Sequence, residues 1–342
     1  MPKWLLTPLV GAAGGWLASL IGWPLPWMVG SLLGVIAVRC IGNLPLAEVP
    51  GGRKCGQWVV GIGIGIGLHF TPAVIEQVLA NSAIILVGAV ATTLSSVIGI
   101  SLMLRSGEDR ATAFFASMPG GASEMVNLGQ RNGAVLSRVA AGQSLRLLLV
   151  VLSVPALFQL FVGVPATQHQ VAQVDWSWLA LLLGGGALLA MLMQRFHQPN
   201  PWLIGPLLVS AAMSIGFDLQ LGLPQGASQL GQWLIGSALG CHFDRAFFRR
   251  APSFIARTLF ATALGMAFAA LAAELLGWLD GLDHRSLMLG MMPGGIAELS
   301  LTAEALQLSV PLVTALQVLR LLLVLFLAEP VFRRWTKQES HA

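Results

Sequence analysis

Glutamates, glutamines and arginines stand at matched places in this chain, and they are the residues best able to do chemistry. Glu124 closes the stretch MPGGASE and Glu298 closes MPGGIAE, each three residues past the second glycine. An intramembrane carboxylate is expensive, which makes each glutamate a candidate proton or coupling-ion site. The alternative is a cap partner, since glutamate is common at the third position of a helix. Gln143 and Arg146 form Gln-x-x-Arg, as do Gln317 and Arg320. That spacing places both side chains on one helix face. Each arginine lies 12 residues into its apolar span, so about 18 Å deep at 1.5 Å per residue. It needs a partner there: a glutamate, backbone carbonyls, or an anionic substrate. A fixed structural ion pair is the competing reading.

The triplets Pro119-Gly120-Gly121 and Pro293-Gly294-Gly295 break any helix that contains them. Backbone that is neither helix nor barrel is tolerated at membrane depth only inside protein or beside a watery cavity. The arm that follows each triplet starts with free N–H groups, which favour an anion at the tip. A kinked helix filling a packing gap is the alternative. The two breaks differ in polarity. Ser123 stands where the second has Ala297, and Asn127 where it has Leu301, so direct polar contact is expected at the first.

Composition fixes the setting for these residues. The chain has 342 residues, of which 56% are hydrophobic and only 10% charged, against roughly 25% charged in soluble domains. The apolar residues gather into long stretches with short loops between them, the membrane pattern. There is no tyrosine, so Trp4, Trp23, Trp176, Trp202, Trp278 and Trp335 take the interfacial places near stretch ends. Residues 2–21 read as a mature helix, because no A-x-A-like cleavage site follows them.

A duplication runs through the chain. PLPWMVGSLL at 24–33 returns as PNPWLIGPLL at 199–208, and GQWVVG at 56–61 as GQWLIG at 231–236. MPGG at 118–121 returns at 292–295, and LRLLLV at 145–150 returns at 319–324. The expected fold is all-α and polytopic, with two repeats. Residues 1–165 form the first and 176–337 the second, joined by a periplasmic linker at 166–175 and followed by a cytoplasmic tail at 338–342. Each repeat supplies five spans, near 4–21, 24–42, 55–73, 79–104 and 134–163, then near 176–194, 201–217, 225–243, 253–279 and 308–332.

Segments 111–130 and 285–304 remain, and basic residues decide their topology. As re-entrant hairpins they leave 16 Lys and Arg on the cytoplasmic face against Arg285 alone outside. As crossings they give 10 against 7. The positive-inside rule selects hairpins. Five crossings per repeat then invert the second copy, an architecture frequent in transporters.

Other chemistries find no support. Cys40, Cys55 and Cys241 form no CxxC, and the six histidines never reach metal-ligand spacing. GIGIGIG at 61–67 follows no strand, and no Walker motif is present. The chain is expected to be no enzyme, to need no cofactor or metal and to bind no nucleic acid. Gly61/Gly65 and Gly236/Gly240 suit close helix packing and permit a homodimer.

Paired units with PW-x-x-G, GQW and MPGG followed by glutamate resemble the bacterial inner-membrane proteins of the AbrB duplication. The likeness spans nearly the whole chain. Members carry the labels "ammonia monooxygenase" or "AbrB family regulator", yet a copper monooxygenase needs clustered histidines and a DNA-binding regulator a soluble basic domain. By analogy the family is similar to inverted-repeat carriers of bile acids and auxin. The expected function is a secondary transporter of a small polar or anionic solute, coupled to H+ or Na+. It would sit in the inner membrane with both termini cytoplasmic. A channel and a membrane-embedded sensor acting through a partner are the alternatives. The expected substrate and ion site comprises Pro119, Gly120, Gly121, Ser123, Glu124, Asn127, Gln143, Arg146, Pro293, Gly294, Gly295, Glu298, Gln317 and Arg320.

Overall fold

The computed structural model describes residues 4–42, 44–58, 62–162, 174–280 and 283–339. Among them the chain is helical throughout, without a β-strand. Most of the expected linker, the last residues of the tail, and Gly61 lie outside the described residues.

Among the described residues five helices are long and apolar enough to cross a membrane: Ser82–Leu104, Leu136–Phe161, Trp176–Arg195, Pro252–Trp278 and Val310–Thr336. This is a multi-pass membrane protein. Leu6–Leu20, Pro26–Cys40 and Pro201–Phe217 are apolar but shorter, at 15, 15 and 17 residues. They reach about 22–26 Å at 1.5 Å per residue, below the roughly 30 Å of a bilayer core. In the third expected span Gly52–Gln57 and Ile62–Leu68 are helical, residues 59–61 lie outside the described residues, and Pro72 starts another helix, Pro72–Ala80. A proline ring fits a first turn and not a helix interior.

The helices fall into two compact units. One comprises Met1–Leu79, Pro155–Arg250 and Ser300–Pro311; the other comprises Ala80–Val154, Ala251–Leu299 and Leu312–Ala342. Each unit therefore draws on both halves of the sequence.

In the first unit, Leu6–Leu20 packs along Pro26–Cys40, and Trp176–Arg195 packs along Pro201–Phe217. Glycine makes the first approach feasible: a Cβ at Gly14 or Gly30 would collide with the backbone of the other helix. Leu25 and Asn200 both take the left-handed conformation just before Pro26 and Pro201, with φ of 50° and 44°. A following proline disfavours the ordinary helical region, so the chain turns sharply into both helices. Arg39 donates to the carbonyls of Phe243 (2.8 Å) and Leu46, fixing a loop to the end of the bundle.

The second unit holds both Pro-Gly-Gly breaks. Helices Arg110–Ser117 and Ala122–Arg131 flank the first, and His284–Met291 and Ile296–Ala305 flank the second. The leading arms are alike in length, with eight residues each, and so are the following arms, with ten. Aspartates open both leading arms. Asp109 accepts from the Thr112 amide, and Asp283 from those of Arg285 and Ser286, which satisfies donors that a helix start leaves free. Phe114, Phe115, Met118, Met125, Leu128 and Val139 pack with Val324, Ala328 and Phe332 into one core. That core anchors the first break to the long helices carrying the arginines.

Candidate functional site

A helix that stops in a buried place leaves its last carbonyls without intrahelical donors. At the first break Gln143 and Arg146 supply them. Gln143 Nε2 donates to the carbonyls of Phe115 (2.8 Å) and Met118 (2.9 Å), with a longer contact to Ala116 (3.4 Å). Arg146 donates through Nη1 to Met118 O (2.8 Å) and through Nη2 to Gly120 O (3.2 Å) and Gln143 Oε1 (2.7 Å). The cation thus sits at a helix C-terminus, where the macrodipole is negative.

The second break repeats the arrangement. Gln317 Nε2 donates to the carbonyls of Gly290 (2.7 Å) and Met292 (3.0 Å). Arg320 reaches Met292 O (2.7 Å), Gly294 O (2.6 Å) and Gln317 Oε1 (2.5 Å). The sequence left the arginines' partner open among glutamate, carbonyls and substrate. The contacts are carbonyls and the glutamine amide. Both guanidiniums are buried, at 6% and 4% exposure, and both Nε atoms lack a hydrogen-bond partner among the described residues.

The glutamates lie over the starts of the following arms. A Cβ on Gly121 would strike the Glu124 carboxylate, and one on Gly295 would strike that of Glu298. The second glycine of each triplet therefore makes room for a carboxylate curled back to the helix start, the posture of a cap. Glu298 is buried and Glu124 half-buried. Ser123 and Asn127 are exposed.

Within this unit a small cleft of about 40 Å³ adjoins the first break. Pro119, Arg146 and Pro293 line it, so residues of both breaks meet there. Polar hydroxyls join them from positions the sequence did not single out: Ser95, Ser96, Ser117, Thr258 and Thr262. Ser123, Glu124, Asn127, Glu298, Gln317 and Arg320 do not line this cleft. Among the described residues no group of three or more His, Cys, Asp or Glu could hold a metal ion.

The family described as "Transition state regulatory protein AbrB" matches residues 27–336, nearly the whole chain. The chain belongs to the AbrB family. Among its relatives is the "Uncharacterized protein YhjN" of Bacillus subtilis, 28% identical over 95% of this chain and 91% of that protein. The "Putative regulator AbrB" of Escherichia coli K12 is 26% identical over 80% of each. The AbrB match encloses both Pro-Gly-Gly breaks and both Gln-x-x-Arg pairs, so the whole arrangement lies within the family's own span.

Proposed function

We propose that the protein is a secondary transporter of a small polar or anionic solute, driven by an H+ or Na+ gradient, with no catalytic activity. The observation that carries the reading is the cleft shared by Pro119, Arg146 and Pro293. Two helix breaks converge there on a buried cation with N–H groups to spare, a pattern suited to binding and releasing a solute at depth. The proposed architecture is two inverted repeats in the inner membrane, each with five spans and one re-entrant hairpin, and both termini cytoplasmic.

Two measurements test it. After a thermal-shift screen of the purified protein against small metabolites and cations, proteoliposomes loaded with a hit should show counterflow of the labelled compound. Flux that neither saturates nor exchanges would make the protein a channel. The Escherichia coli relative is called a "Putative regulator", and the second reading is a sensor working through a partner. Binding without any flux would support that reading instead. Topology is tested separately in a cysteine-free background. Single cysteines at positions 131 and 249 should label only from the cytoplasm, and at position 218 only from the periplasm. Labelling of position 131 from outside would remove the hairpins.

A further inference from the structure

The two breaks share their clamp but not their surroundings. The residue before the clamping glutamine is Gly142 at the first break and Leu316 at the second. The residue before Met-Pro-Gly-Gly is Ser117 at the first and Met291 at the second. Gly142 and Ser117 both line the cleft. Leu316 and Met291 are large and buried, at about 1% exposure each. They fill space together: a methyl group at Gly88 would lie 3.1 Å from Leu316 Cδ2 and 3.5 Å from Met291 Sδ.

The cleft's hydrogen bonding is lopsided. Ser95 Oγ donates to Thr92 O (2.7 Å), Ser96 Oγ to Thr93 O (2.7 Å), Thr258 Oγ1 to Phe254 O (2.8 Å) and Thr262 Oγ1 to Thr258 O (2.8 Å). With those protons committed, what the four hydroxyl oxygens have left to offer is acceptor capacity. Arg146 brings the opposite to the cleft wall, the positive charge of a nine-tenths buried guanidinium. Met103, Ala116, Pro119, Ala261 and Pro293 supply apolar wall.

We propose that this cleft, and not its counterpart at the second break, is the binding pocket, and that it takes a small hydroxycarboxylate. The carboxylate answers the positive charge of Arg146 in the cleft wall, the ligand's hydroxyl donates to the threonine and serine oxygens, and its short carbon chain lies against the prolines and alanines. Leu316 and Met291 plug the second copy. This rests on the same site as the transporter reading, but binding is measured apart from flux.

The experiment is calorimetric titration of the purified wild-type protein with lactate, acetate and sulfate. Lactate should bind roughly two- to tenfold tighter than acetate, the worth of one matched hydrogen bond, and tighter than sulfate. Equal binding of all three, or none by lactate, overturns the proposal. Thr262→Val keeps the side chain's shape and should bring lactate down to the affinity of acetate while leaving acetate alone. Ser117→Met with Gly142→Leu installs the second copy's plug and should abolish lactate binding. A methyl at residue 142 would lie 3.0 Å from Ala116 Cβ, so Ser117→Met alone is the arm used if the double variant does not fold. Leu316→Met should leave lactate binding unchanged. Lactate affinity untouched by Thr262→Val and Ser117→Met refutes the pocket. Lactate bound as expected but never exchanged in counterflow leaves the pocket standing and removes the transporter reading.

Discussion

The first break opens onto a cleft and the second is packed shut, although both are held by the same clamp. At the first, Ser117 and Gly142 leave room beside Arg146. At the second, Met291 and Leu316 occupy the corresponding positions and are buried. The lesson is that a clamp and a site are separable. The same Gln-x-x-Arg pair closes the orphan carbonyls at both breaks. In the proposed function, which break receives a solute is then set by Ser117 and Gly142 against Met291 and Leu316.

The largest effect should follow loss of an arginine. Arg146→Ala and Arg320→Ala each strand carbonyls that a charged donor had satisfied, at about 3 kcal/mol or more. Chemical denaturation in detergent should show a comparable loss for both. If Arg320→Ala were silent while Arg146→Ala unfolded the protein, the clamps would not be equivalent. Next is Leu316→Ala, which should cost about 2–5 kcal/mol as a buried large-to-small change. A melting temperature unmoved by it would mean the second break was never filled. Gln143→Ala and Gln317→Ala should each cost about 1–3 kcal/mol, and by similar amounts, because Phe115 O and Gly290 O lose their side-chain donor while Met118 O and Met292 O keep the arginine. Unequal losses would locate a further difference between the breaks. The smallest structural effect belongs to Glu124→Gln, within about 0.5 kcal/mol for a half-buried, isosteric change. Its place to show is the ion dependence of flux, where the proposal expects a clear loss of coupling. Unchanged coupling would leave Glu124 as a cap.

Much of this was legible in the residues. Pro-Gly-Gly announced the breaks, because proline and paired glycines cannot continue a helix at depth. Gln-x-x-Arg announced a shared face, because three residues are nearly one turn. The arginine's partner was not legible. A glutamate and a carbonyl can answer a guanidinium equally well in sequence, and only geometry separates them. The cleft was half legible. Gly142 against Leu316 and Ser117 against Met291 could be read by aligning the copies, yet the polar differences at Ser123 and Asn127 drew the expectation instead, and those side chains are exposed. Thr258 and Thr262 gave no signal, since they reach the cleft from a helix more than 100 residues beyond the first break. Hydropathy alone is blind to Pro72 restarting a helix at the end of the third expected span.

The clamps also bear on how the chain is made. Each broken arm is satisfied by residues 25 to 28 positions later, and this separation is the same in both copies. While the arm is emerging from the ribosome its donors have not been synthesised, and an unsatisfied carbonyl in hydrocarbon costs several kcal/mol. The arm's last carbonyls therefore stay open until the following helix has been made, and the break closes only when the arginine helix arrives. If the arms are re-entrant, as proposed, each settles in the bilayer after the helix that follows it, out of order with translation.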